Sequence, residues 1–234
     1  MTVRREANAA GRIALLHALA ESIEPINDAF YRLWPEVSTF NVLDDSLSRD
    51  CERLGELSKG IYARIESLAR YAVDAGGDGM PTLGIIFTGT AFGPAVVAAR
   101  QIMSVPLLMP HEAAFRMAAT RARHLLLLTT FAPSSRVLND DLAGIIASTG
   151  GNVRCEGKFV DGALQALRDG RPDVHDRLIA SAASGSRADC IVLGQFSMAR
   201  AAATVTAYTG VPVICTPDAV VRALQTQLTG MQTA

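Results

Sequence analysis

The feature that most constrains this chain is that it resembles itself. Residues 84–113 and 190–219 align over thirty positions without a gap, at an offset of 106. Phe87-Thr88-Gly89 falls on Leu193-Gly194-Gln195, the Ala-rich stretches that follow coincide, and Val105-Pro106 falls on Val211-Pro212. Glu112 falls on Asp218. Upstream, residues 13–17 pair with 125–129 at an offset of 112. Similarity at so long a spacing reads as duplication of one supersecondary unit.

The unit itself is legible. Short apolar runs at 13–16, 83–87, 105–109, 125–128, 190–193 and 211–215 end in small or polar residues. Continuous runs of this length suit strands buried on both faces, as in a parallel sheet. Between them lie helical patterns. Residues 45–73 place Leu47, Leu54, Leu57, Ile61, Ile65 and Leu68 at spacings near three and four, which predicts one long helix started by Asp45 or Ser46. Strand alternating with helix means βαβ units and an α/β fold. Aromatics are only 6% of the chain, as expected of a core built from Val, Ile, Leu and Ala. The prediction is two similar parallel-sheet domains with a cleft between them. The first takes residues 1–112 plus 218–234, because the last helix crosses back, and the second takes residues 113–217.

Charge narrows the partners. Twenty-two basic against 23 acidic residues give −1, so there is no basic face for nucleic acid or an anionic membrane. No apolar run reaches the eighteen or so residues of a membrane span. Arg4-Arg5 before residues 13–20 look faintly like a signal peptide, but the apolar run is short and holds His17, so a buried first strand fits better. Residues 76–79, Gly-Gly-Asp-Gly, read as a loop and not as a phosphate-binding loop, because no Gly-Lys-Ser ending follows. Cytoplasmic localisation is expected.

Ligands of open parallel sheets bind beyond the carboxyl ends of the strands. Two facing halves would put Gly89 and Gln195 on opposite walls of one cleft. The N–H groups of Thr90, Ala91, Phe196 and Ser197 would open into it, suiting a carboxylate or a developing oxyanion. Hydroxyls of Thr88, Thr90, Ser197, Thr129, Thr130, Ser134 and Ser135 would enrich it. Each alone reads first as a helix cap, and their clustering at symmetry-related strand ends brings the binding reading level with it. His17 ends the first strand and reaches toward the same place. The four cysteines, Cys51, Cys155, Cys190 and Cys215, form no CxxC pair and no zinc-like cluster with histidine, so no metal is expected.

The duplicated halves and the stretch 87–94, Phe-Thr-Gly-Thr-Ala-Phe-Gly-Pro, resemble the aspartate/glutamate/hydantoin racemase superfamily, with its arylmalonate decarboxylase-like and maleate isomerase-like branches. Residues 41–47, 195–201 and 217–222 support the resemblance. It implies cofactor-independent isomerase chemistry at the carbon alpha to the carboxylate of a small acid, and a homodimer or larger oligomer. It also implies two catalytic cysteines, one at each symmetric strand end. Here those catalytic positions hold Gly89 and Gln195, and neither can take a proton at neutral pH. The substrate-binding set it implies is His17, Thr90, Ala91, Thr130, Phe131, Ser134, Phe196 and Ser197, with Phe131 standing where a decarboxylase-like site would hold a tyrosine. The alternatives are an arylmalonate decarboxylase-like lyase, or a carboxylate-binding protein without catalysis, including one with Cys changed to Gly at position 89.

Overall fold

A computed structural model describes residues 11–75, 79–150 and 152–232. The duplication appears at once as two four-stranded, wholly parallel sheets. In the first, β1 (Arg12–His17), β2 (Ser38–Leu43), β3 (Thr82–Phe87) and β4 (Leu107–Leu108) run in the order β2-β1-β3-β4. In the second, β5 (His124–Thr129), β6 (Arg154–Phe159), β7 (Cys190–Leu193) and β8 (Val213–Cys215) run in the order β6-β5-β7-β8. The sequence offsets map one register onto the other. Leu16 pairs with Phe87 as Leu128 pairs with Leu193, and Ile86 pairs with Leu108 as Val192 pairs with Ile214.

Alternation along the central strands feeds both faces of each sheet. Ala14, Leu16, Ile85 and Phe87 pack with Ile61 and Ile65 of α3 (Lys59–Asp74). Ile13, Leu15 and Ile86 pack on the other face, with Ile26 and Phe30 of α1 (Ile23–Leu33) and with Val220, Val221 and Leu224 of α10 (Thr216–Gln232). Ala219, at the start of α10, instead packs with Leu125, Leu127 and Val192 of the second sheet. The last helix therefore touches both cores. A Cβ at Gly84 would stand 3.0 Å from Leu224, so the glycine lets α10 lie close on β3.

The structure corrects several expectations. Residues 45–73 form two helices, α2 (Ser46–Leu54) and α3, not one. Gly55, in the left-handed region at φ 70°, closes α2, and Ser58 starts α3 by accepting a hydrogen bond from the Ile61 N–H. The side chain that caps α2 is that of Asp44, not of Asp45 or Ser46: Asp44 Oδ1 accepts from the Ser46 N–H at 3.2 Å. Strands β2 and β6 have no counterpart among the apolar runs, because β2 buries none of its residues fully and β6 is exposed at every residue. Part of the glycine loop, residues 76–78, and the arginine pair near the start lie outside the described residues. No helix among the described residues is long and apolar enough to cross a membrane.

Candidate functional site

Each of the four central strands ends in the small and polar residues expected to make the site. A short 3₁₀ turn follows β3 at Thr90–Phe92 and leads into α4 (Gly93–Arg100), and another follows β7 at Phe196–Ala201 and leads into α9 (Ala202–Thr209). Gly89 and Gln195 are the residues that cap these two turns, neither with a side-chain cap bond. After β5, Phe131 precedes α6 (Ala132–Thr149).

At the first half, the ends of β1, β2 and β3 meet in a polar relay that is buried at His17 and Thr88 and ends on the exposed Asn41. The Thr88 hydroxyl lies 3.0 Å from His17 Nδ1, and His17 Nε2 lies 2.9 Å from Asn41 Oδ1. Asn41 presents a carbonyl oxygen, so Nε2 carries the proton and Nδ1 accepts from the Thr88 hydroxyl. His17 is fully buried. Burial, opposed by the hydrogen bond to Asn41, lowers its pKa from 6.5 to about 4. The ring is therefore neutral at physiological pH. In the sequence Asn41 opens the stretch 41–47 and carries no chemical signal of its own.

At the second half, Gln195 turns its side chain away from solvent and into the start of α6. Its Oε1 accepts from the Thr130 N–H at 2.6 Å, the Thr130 hydroxyl at 3.0 Å and the Phe131 N–H at 3.2 Å. Its Nε2 donates to Ser134 Oγ at 2.8 Å, and that hydroxyl donates to the Phe131 carbonyl at 2.8 Å. The expected residues Thr130, Phe131, Ser134 and Gln195 thus form one closed network. Phe131 also joins this network to the first half, because its ring sits in the same buried cluster as Phe87, Ala91 and Phe92.

The other expected residues are spread. Phe196 packs in the core face of Ile13, Leu15 and Ile86. Thr90 is buried and its side chain has no hydrogen-bond partner among the described residues. Ser197 lines a cavity of about 440 Å³ with Ala20, Glu21, Arg32, Arg200 and Cys215, and it is the only expected site residue that does. Glu21, which lines that cavity, pairs with Arg168 of α7 (Ala163–Arg168) in the other half at 3.2 Å.

Space at position 89 is closed. A Cβ there would stand 2.8 Å from the Phe92 ring and 2.9 Å from the Phe87 ring. Both rings are buried and hold each other edge to face, 5.7 Å between centroids. None of the cysteines replaces the missing pair. Burial pushes Cys51 up, and it pushes Cys190 to about 11 and Cys215 to about 12, while Cys155 lies exposed on the edge strand β6. Thiols held so high are protonated and poor proton acceptors.

A model of the Asp/Glu/hydantoin racemase family matches residues 60–224. The chain belongs to this family. The relay and the Gln195 network stand at the strand ends of its two sheets. Solved structures agree on the fold. Allantoin racemase from Klebsiella pneumoniae is 19% identical, with a TM-score of 0.68 over 94% of this chain and 88% of that one. Glutamate racemase from Bacillus anthracis is 12% identical, with a TM-score of 0.69 over 94% and 82%. A mutant of arylmalonate decarboxylase in its liganded form is 19% identical, with a TM-score of 0.56 over 94% and 93%. No curated protein matches the sequence.

Proposed function

We propose that this racemase-family chain is a cofactor-independent enzyme acting at the carbon alpha to the carboxylate of a small acid, with one proton-transfer group instead of two. The observation that carries this reading is the Thr88–His17–Asn41 relay, one residue from Gly89. As the alpha proton passes to the Thr88 oxygen, the Thr88 proton passes to His17 Nδ1. Asn41 holds the ring in the tautomer that accepts it, the same division of labour as in hydroxyl–imidazole nucleophile sites. Thr90 and the N–H groups of Thr90 and Ala91 hold the carboxylate, whose developing enediolate they stabilise. The protein works in the cytoplasm.

Racemisation needs an acid on one face of the planar carbanion and a base on the other. Neither Gly89 nor Gln195 supplies either. A single carrier that returns the proton to the same face of the alpha carbon gives exchange with retention, so net isomerisation by this route returns the proton to another carbon of the delocalised anion. The expected result in deuterium oxide, with amino acids, hydantoins and substituted malonates offered in turn, is alpha-deuterium uptake, which for the chiral amino acids and hydantoins outpaces loss of optical rotation. Thr88→Val and His17→Gln should each slow that uptake by about 10²-fold or more. Uptake and racemisation at equal rates would instead demand a second carrier and defeat the reading.

A second reading has its own observation. Gly89 and Gln195 leave neither symmetric strand end with a proton-transfer group, as expected of a carboxylate-binding protein that has given up catalysis. Calorimetric binding of an acid whose alpha proton never exchanges would decide for it.

A further inference from the structure

We infer that Gln195 sets substrate class by filling the second half's carboxylate cradle with its own amide, so that the site takes monocarboxylates and turns dicarboxylates away. This rests on the carboxylate reading above and narrows it.

The physical case is the convergence of donors. Two backbone N–H groups and one hydroxyl point at a single oxygen, at the start of the eighteen-residue helix α6. Such a cluster at a helix start is built for a carboxylate oxygen. Here the oxygen it holds is Gln195 Oε1. The other end of the amide is also tied down, by Nε2 donating to Ser134. Gln195 is nine-tenths or more buried, so a ligand carboxylate could enter only by evicting it and leaving its amide without these partners. Position 89, which matches 195 in the duplication, has no side chain, and the space beside it is filled by the Phe87 and Phe92 rings. In the proposed function the first half holds one carboxylate at Thr90 and Ala91, so with the α6 cradle already filled an acid is held by one end.

The test compares butanoate with succinate, two acids of four carbons that differ by one carboxylate. Binding is measured by calorimetry on the wild type, Gln195→Ala and Gln195→Glu, with melting temperatures recorded in acetate. The wild type should bind butanoate at least about tenfold more tightly than succinate. Gln195→Ala should erase or invert that ratio, and acetate should raise its melting temperature more than the wild type's by refilling the hole. Gln195→Glu keeps an oxygen in the cradle and should keep the preference, which protects the test if Gln195→Ala folds poorly. Equal binding of the two acids by the wild type overturns the inference, as does a Gln195→Ala protein that keeps the tenfold ratio and ignores acetate. In both of those cases the enzyme reading survives. Failure of the wild type to bind either acid overturns both.

Discussion

At Gly89 the side chain is missing because two aromatic rings stand where it would go. The sequence identifies this position only as one where related chains are expected to carry cysteine. The structure adds that Phe87 and Phe92 approach to 2.8–2.9 Å of a Cβ built there. Gly89→Cys should therefore cost about 1–3 kcal/mol, as overpacking of a filled core does. Phe92→Leu in the same chain should recover part of that loss in thermal melts. An equal melting temperature for Gly89→Cys and the wild type would show that the rings yield freely. His17 makes a second prediction at this scale. Its pKa falls from 6.5 in the unfolded chain to about 4 in the folded one, so the unfolded chain binds the proton first as pH drops. Its contribution is complete above pH 6.5, and stability declines from there down to about pH 4, by roughly 3 kcal/mol in all. Urea midpoints at pH 7.5 and pH 4.5 should differ less for His17→Gln than for the wild type.

At the scale of the element, residues 45–73 show how periodicity can be right and continuity wrong. Both α2 and α3 bury apolar residues among those predicted, Leu47 on one and Ile61 and Ile65 on the other. What the spacing could not register is a break of four residues, Gly55 to Ser58, that leaves the helical face nearly in phase. The signals were present, in a glycine that reaches φ 70° and a serine that accepts from Ile61 N–H. Gly55→Ala and Ser58→Ala should each destabilise by about 1 kcal/mol, read from denaturant midpoints. Two neutral variants would mean that tertiary packing, not capping, ends these helices. Asp44 joins the same corner. Burial pushes its carboxyl up, but hydrogen bonds from Ser46 and Arg64 outweigh this and hold it below its ordinary value. Strands β2 and β6 are illegible for the opposite reason. A strand exposed along its whole length, as β6 is, needs no apolar run, so it leaves none to read.

For the whole molecule, Phe131 decides whether the halves act as one body. It belongs to the second half in sequence, yet its ring is buried with Phe87, Ala91 and Phe92 of the first, while its N–H holds Gln195. Phe131→Ala should cost about 3–5 kcal/mol, typical of an aromatic core truncation. It should also broaden or split the unfolding transition as the halves uncouple. A single sharp transition with a small loss would place the coupling elsewhere, in α10 or in the Glu21–Arg168 pair.

The sequence by itself determined the repeated α/β unit, because buried parallel strands require apolar runs and a duplicated unit repeats them at a fixed offset. It also determined that no thiol stands at either symmetric strand end, since that is a matter of residue identity. Only the tertiary structure decided what occupies those ends. Hydrogen bonds and ring packing depend on groups far apart in the chain: Asn41 with His17 and Thr88, Gln195 with Thr130 and Phe131, and Phe87 with Phe92 over Gly89. No local pattern encodes such meetings, because each follows from where two strands and a helix start happen to converge.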